Sequence, residues 1–299
     1  MSSGIFDHRR AGLVLTIVGA LSGRCIIGDE SSAAVADSAN AAASPSANLG
    51  ATEEDAASGD APLVAAAPAP GIEHPLAPAI RIAQGSLTRL QSVEDYETTL
   101  VKSERTSGRL VEQTMHMKYR EQPLSIYLKY GEPFIGREVL FVHGQNDNRV
   151  LAHEGSGATS PVGTAALEPQ DLQVTRDSRY PITEFGMRQM LEKIVAQWKI
   201  ESMYGETDVQ FYPDARLRGQ PCEVIESTHP RPRRQFKFQK TRVYLDTQSR
   251  LPIRIEQHAF PDAPGKEPVL DELYEYVNLR TNVGLTDEDF DRRNPNYSF

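Results

Sequence analysis

The clearest pattern of hydrophobic and polar positions in the chain spans Arg242 to Gln257, which read RVYLDTQSRLPIRIEQ. Apolar and polar residues alternate on either side of a polar turn at 246–250. A period of two residues is typical of a β-strand with one buried and one solvated face. The segment predicts a hairpin whose apolar face belongs either to a core or to the wall of a cavity. That face is predicted to consist of Val243, Leu245, Leu251, Ile253 and Ile255.

Further segments with the same alternation predict roughly ten strands in two runs. The first run comprises 96–101, 111–120, 124–130, 138–143 and 149–153. The second run comprises 207–212, 222–228, 235–245, 251–260 and 269–279. The links within each run are short, whereas parallel pairing needs crossover connections of about a dozen residues, so the sheet is predicted to be antiparallel.

Apolar residues at three- and four-residue steps predict two helices. The first spans Leu76 to Val93, and the second runs from Thr183, as N-cap, to Trp198. A short acidic helix is predicted at 286–291. Because helices and strands are segregated along the chain, the fold class is α+β. We expect a strongly curved antiparallel sheet, an unclosed half-barrel with helices across its concave face.

The N-terminal quarter of the chain has a different composition from the rest. Residues 1–25 begin with a segment that contains Arg9 and Arg10, followed by a stretch of apolar and small residues at 11–23, which predicts an export signal too short to span a membrane. Residues 26–75 are rich in Ala, Ser and Pro, and their charged residues are all acidic, which predicts a disordered tether. Residues 76–299 are expected to form a single half-barrel domain, exported to the periplasm or cell envelope.

The chain has two cysteines, Cys25 and Cys222. Cys25 follows LSGR, where a lipoprotein signal requires a small residue in place of Arg24, so a lipid anchor is not expected. Two cysteines so far apart form no disulfide framework. Cys222 is interpreted as a small buried apolar residue.

The formal net charge of −9 belongs mostly to the tether. Residues 1–25 carry +2 and residues 26–80 carry −8, which leaves −3 for residues 81–299. A nearly neutral folded part argues against a nucleic-acid partner. Any membrane association is expected to be peripheral.

The densest polar cluster surrounds one predicted hairpin and includes His143, His153 and Glu154. Pairing around the turn could bring the two imidazoles together, and with the carboxylate they could bind Zn²⁺. The alternative is that the histidines pair across the sheet beside an ordinary polar turn. A hydrolase that uses Ser156 is a further alternative, although no complete catalytic motif is present and no cofactor is predicted.

Methionines and aromatic residues on the predicted apolar faces could line a lidded cavity, because thioethers adapt to ligands of varied shape. Ordinary core packing is the alternative interpretation. Together with the hairpin face, the candidate ligand-binding residues are Met115, Met117, Tyr119, Leu128, Met187, Met190, Trp198, Val243, Leu245, Ile253 and Ile255.

Three motifs occur in order: GREVLFVHGQNDNRVLAHEG at 136–155, RYPITEFG at 179–186, and FDRRNPNYSF from Phe290. Over approximately residues 85–299 the chain resembles the bacterial family called domain of unknown function 1571, which has no established activity. More distantly, the element order and the VYLD…LPIRIE hairpin resemble the periplasmic lipoprotein carrier superfamily that includes LolA and LolB. That resemblance implies a non-enzymatic half-barrel that binds acyl chains in a hydrophobic cavity.

The leading hypothesis is therefore an exported protein that binds a lipid, or the acyl chain of a lipoprotein, by reversible burial. A structural or sensory module with a filled core and an envelope protein as its partner is the second hypothesis. An enzyme, metal-dependent or hydrolytic, that uses the hairpin from His143 to Glu154 is the third.

Overall fold

The computed structural model describes residues 73–155, 163–171, 175, 177–263 and 265–299. Within them the chain forms an unclosed antiparallel sheet of eleven strands with two α-helices, which confirms the predicted α+β class. The predicted export signal, nearly all of the tether, Cys25 and Ser156 lie outside the described residues.

The strands form two meanders. The first contains β1 (Asp95–Thr106), β2 (Arg109–Arg120), β3 (Ser125–Tyr130), β4 (Glu138–Val142), β5 (Val150–His153) and β6 (Thr164–Leu167). The second contains β7 (Asp208–Leu217), β8 (Gln220–Thr228), β9 (Lys240–Asp246), β10 (Pro252–Ala259) and β11 (Val269–Thr281). The spatial order is β6-β5-β4-β3-β2-β1-β11-β10-β9-β8-β7, so the meanders join along β1 and β11, and β6 and β7 are the edges.

The two α-helices are α1 (Leu76–Leu90) and α2 (Met187–Glu201). The first begins at the predicted residue and ends three residues before the predicted end, Val93. The second begins three residues later than predicted, because 182–184 form one 3-10 turn and Gly186 then takes a φ of +124°. Thr183 is therefore not the N-cap of α2. The predicted acidic helix is a 3-10 helix, Asp287–Phe290, closed by a capping box between Thr286 and Asp289.

The connection from β6 to β7 runs from one edge of the sheet to the other and carries α2 across the concave face. The Met187 amide donates to the Tyr96 hydroxyl in β1 at 3.3 Å, and Trp198 Nε1 donates to Ser227 Oγ in β8 at 3.0 Å. One core cluster contains buried residues of both helices and of strands from both meanders. The helices therefore pack on the concave face against strands of both meanders.

The predicted hairpin forms β9 and β10, but β10 contains a bulge. The register with β9 shifts between Pro252 and Arg254, which makes Ile253 an extra residue. Ile253 consequently lies on the opposite face, where it packs with the buried Cys222 and with Val224. The prediction that Ile253 shares the concave face is wrong, because strict alternation does not survive a bulge. The residues that remain in the main core are Val243, Leu245, Leu251 and Ile255.

The C-terminal segment covers the convex face of β3, β4 and β5. Phe290 is buried there against Tyr127, Leu140 and Leu151, and the Tyr297 ring stacks on Tyr127 at 3.9 Å between centroids. The motif at 290–299 therefore protects the outer side of the first meander from solvent.

Among the residues described, neither α-helix is long and apolar enough to cross a membrane.

Candidate functional site

A cavity of about 460 Å³ lies on the concave face of the first meander, beside the region filled by the helices. Its second wall is the segment that precedes α2, residues 177–185, which we call the strap. Ligand pockets for small molecules usually have volumes of about 300–1,000 Å³. The cavity is therefore large enough to hold a small ligand.

The floor of the cavity is apolar because the strand register aligns one row of small or aliphatic residues. Leu128 pairs with Val139, Val139 with Ala152, and Ala152 with Ala165, in four successive strands. Larger side chains at these positions would fill the space above the floor at the density usual for a protein interior, whereas Ala152 and Ala165 leave it open. The other apolar residues that line the cavity are Val150, Leu167, Ile182 and Phe185.

The rim of the cavity is polar and is formed by residues at one end of β3, β4 and β5. Arg137 Nε donates to Glu154 Oε2 at 2.9 Å, and its Nη1 lies 3.6 Å from Asp177 Oδ2. The Arg137 guanidinium also lies 4.4 Å from the centre of the Phe134 ring. Burial raises the pKa of Tyr130 to about 12, so this rim hydroxyl is neutral at physiological pH.

A buried lysine holds the start of the strap against the sheet. Lys102 Nζ in β1 donates to Glu104 Oε2 and Ser178 Oγ, each at 3.0 Å, and to the Asp177 carbonyl at 3.3 Å. Burial lowers the pKa of Lys102, and the neighbouring Glu104 carboxylate opposes that effect. The three hydrogen-bond acceptors thus stabilise the buried Lys102 ammonium group.

The next strap residue, Arg179, makes contacts with both β1 and β11. Its amide donates to Glu104 Oε2 at 2.8 Å, and its Nη1 donates to Asp271 Oδ2 at 2.7 Å and Glu272 Oε1 at 2.5 Å. The Tyr180 hydroxyl donates to the Glu272 carboxylate at 3.1 Å. Burial raises the pKa of Glu272 although cations lie close to it. The strap is therefore attached where the two meanders join.

Ten of the eleven predicted ligand-binding residues lie together in the main core. They are Met115, Met117, Tyr119, Leu128, Met187, Met190, Trp198, Val243, Leu245 and Ile255. Leu128 is the member of this set that lines the cavity between strap and sheet. The others are buried where α1 and α2 cover the sheet, and Ile253 lies on the opposite face.

The two predicted metal-binding histidines lie at opposite ends of their hairpin. His153 pairs with Glu138, whereas His143 follows the last residue of β4, so about five residues, or roughly 17 Å, separate them along the strands. The expectation that the turn brings them together is wrong, because in an antiparallel pair the end of β5, where His153 lies, is opposite the start of β4. His143 lies at the other end of β4. Glu154 forms an ion pair with Arg137. In the part of the chain that the structure describes, no cluster of His, Cys, Asp or Glu could hold a metal ion.

The strap and the small residues of the floor were not predicted as site residues. The sequence did indicate the floor in one place, because the alternation of residues along β5 puts the small residue Ala152 on the concave face. The strap residues carry no hydrophobic period, and the RYPITEFG motif identified them as a family feature without indicating a contact.

The family model described as "Protein of unknown function (DUF1571)" matches residues 93–299. A search of the curated proteins found no match.

Several solved structures are similar at low identity. The Pseudomonas aeruginosa MucA/MucB complex contains a chain with 16% identity and a TM-score of 0.41, and the match covers 72% of this chain and 61% of that chain. Mycobacterium tuberculosis lipoprotein LppX has 12% identity and a TM-score of 0.42, with coverage of 72% and 100%. A putative outer membrane lipoprotein-sorting protein domain from Vibrio parahaemolyticus has 13% identity and a TM-score of 0.32, with coverage of 71% and 96%. The match to the MucA/MucB structure spans less than two thirds of the chain compared there.

Proposed function

The chain belongs to the DUF1571 family of proteins of unknown function, and we propose that it binds the apolar part of one amphiphilic molecule, a lipid or a lipoprotein acyl chain, in the cavity beneath the strap. The observation that carries the proposal is the separation of the cavity lining into an apolar part and a charged part. An apolar floor from Leu128 to Ala165 lies next to a charged rim at Arg137 and Glu154. An amphiphile has the same two parts in the same order.

Burial of an alkyl chain supplies the affinity in this proposal. Each methylene transferred from water contributes about 0.8 kcal/mol, so ten contribute roughly 8 kcal/mol. Association itself costs about 4–15 kcal/mol in lost freedom. Because the two amounts are of similar size, binding is reversible and strengthens with chain length until the cavity is full.

The polar groups of the strap and rim support binding rather than catalysis. Ser178 Oγ donates to the Tyr180 carbonyl at 3.0 Å and accepts from Lys102, so no histidine activates this hydroxyl. Neither histidine nor cysteine occurs among the described residues that line the cavity. Nucleophilic catalysis needs a nucleophile within hydrogen-bond reach of a base.

Two adjacent alanines of β6 allow a matched test. Ala165 lines the cavity, and Ala166 is exposed on the other face of the same strand. We expect the purified, delipidated protein to bind the neutral fluorescent probe N-phenyl-1-naphthylamine in a saturable manner. Ala165→Phe should abolish this binding by filling the floor, whereas Ala166→Phe should retain it. Ala152→Leu serves as a second cavity-filling variant in a more central strand.

The proposal is contradicted by wild-type protein that binds no probe after delipidation. It is equally contradicted by Ala165→Phe and Ala152→Leu variants that fold and bind the probe with wild-type affinity.

The site of action proposed for this binding is the cell envelope, outside the cytoplasm. The export signal predicted at residues 1–25 supports it, as does the family resemblance to periplasmic carriers. Intact mass measurement of the protein from a native host tests it, since export through this signal removes the first residues of the chain.

A protein partner in the envelope is the second candidate function, and the exposed edge strand β7 favours it. Phe211 and Tyr212 are 39% and 41% exposed there, next to Pro213. Aromatic residues on a sheet edge are suited to a protein contact. A photo-crosslinker at Phe211 should give one discrete adduct in cells, and substitution of Tyr212 by Ser should reduce it without change in probe binding. Absence of an adduct excludes this surface.

A further inference from the structure

Gln113 is a buried polar residue in the wall of the cavity. It lies in β2 two residues before Met115 and therefore shares the concave face with the inward residues of that strand. Only 3% of its surface is exposed, and it lines the cavity. Its side-chain carbonyl oxygen Oε1 has no hydrogen-bond partner among the described residues.

A buried carbonyl oxygen without a partner is rare in proteins, because its lost hydration is not replaced. Arg137, Ser178 and Tyr180, which also line the cavity, already donate hydrogen bonds to other groups. Arg137 contacts Glu154 and Asp177, and the Tyr180 hydroxyl donates to Glu272. A hydrogen-bond donor for Gln113 can therefore come from a molecule bound in the cavity.

The charge of the rim restricts the kind of donor. Arg137 carries the positive charge among the described lining residues, and it is paired with the carboxylates of Glu154 and Asp177. An anionic head group would have to compete with two carboxylates for this one guanidinium and would be repelled by them. An interface discriminates by such repulsion as much as by attraction.

We infer that Gln113 determines the specificity of the cavity, and that its ligand is an amphiphile whose uncharged head carries hydroxyl groups, as in a monoacylglycerol. This inference rests on the proposed function. A hydroxyl donates to Oε1 and can also accept from the amide Nε2, so it pairs with Gln113 in either orientation of the amide. A carboxylate or phosphate head lacks the donor and carries the unfavourable charge.

Three ligands with the same acyl chain test the head-group preference. Monolauroylglycerol, methyl laurate and laurate are used to displace N-phenyl-1-naphthylamine from the delipidated protein at pH 8. We expect monolauroylglycerol to compete about tenfold more strongly than methyl laurate, the scale of one neutral hydrogen bond in a buried site. Laurate should be the weakest competitor.

The variant Gln113→Leu should remove the difference in competition between monolauroylglycerol and methyl laurate. Gln113→Met, which is unbranched, replaces it if the leucine variant does not fold. Gln239→Leu is the matched control, because Gln239 Oε1 is also buried without a described partner but does not line the cavity. This control should keep the tenfold preference.

The outcomes separate the two proposals. Wild-type protein that binds neither probe nor any laurate derivative overturns the proposed function itself. Probe binding with equal competition by the three ligands, or a preference that survives in both Gln113 variants, overturns the role of Gln113 and leaves apolar binding intact.

Discussion

Gly186 connects the strap to α2 in a backbone conformation that is almost restricted to glycine. Its φ is +124° and its ψ is 156°. A Cβ at this position would lie 2.5 Å from Gln189 Oε1 and 2.9 Å from Tyr119 Cε2. The start of α2, and with it the position of the strap, therefore depends on this one residue.

Gly186→Ala should lower the free energy of unfolding by about 1–3 kcal/mol through backbone strain. Gly85→Ala is the control, because Gly85 lies inside α1 with open space around it and should gain roughly 0.5–1 kcal/mol. Urea denaturation measures both variants. Equal stability changes of the same sign would contradict this account of Gly186.

Glu256 gives the convex face of β10 a specific pH dependence. Burial alone would raise its pKa, but the hydrogen bond with His258 and the charges of Arg254 and Arg242 outweigh burial and lower that pKa to about 2. The ordinary value is 4.5. A carboxylate whose pKa is lowered in the folded protein stabilises the fold at pH values above its ordinary pKa. This contribution is lost as the pH falls toward the pKa of the folded state.

Glu256→Gln should therefore be less stable than wild type at pH 7, and the difference should shrink between about pH 5 and pH 2. Chemical denaturation across this range measures it. A difference that stays constant with pH would show that Glu256 stabilises the fold through something other than its charge.

The strap is the element on which the cavity depends, and Arg179 is its main attachment. Arg179→Ala would leave the Glu272 carboxylate buried beside Asp271 without the guanidinium that pairs with both. Breaking a buried ion pair on one side costs roughly 3 kcal/mol or more. We expect such a loss in urea denaturation, together with weaker probe binding because the second wall of the cavity is no longer held.

Arg293→Ala is the control for this variant. Arg293 is 86% exposed and pairs with Asp291 on the surface, where such pairs contribute about 0–1 kcal/mol. An Arg179→Ala variant as stable as Arg293→Ala would mean that the strap is held by other contacts.

Sequence patterns predicted the elements with strong periodicity and missed those without it. Both helices and ten of the strands follow from apolar spacing. The strand β6 was not predicted, because Thr-Ala-Ala-Leu lacks the large β-branched residues that identify strands. A bulge such as that at Ile253 leaves the alternation intact in the sequence and becomes visible only through strand register.

The cavity itself arises from how unevenly the sheet is covered. α2 packs on β1, β2 and β8 through Tyr96, Tyr119 and Ser227, whereas the strap faces the cavity floor formed by β3 to β6. A covered half-barrel could be predicted from the order of elements. Which part of the sheet stays open could not be predicted, because it depends on the path of the β6–β7 connection across the sheet. Lys102 and Arg179 fix that path through contacts that no local sequence pattern reveals.

The location of the bound molecule is the central claim, and a crystal structure with a brominated ligand tests it most directly. We expect anomalous density for the bromine of a terminally brominated monoacylglycerol between the floor at Val139 and Ala152 and the strap at Ile182. Bromine density among α1, α2 and the residues around Met117, or on the surface alone, would contradict the account.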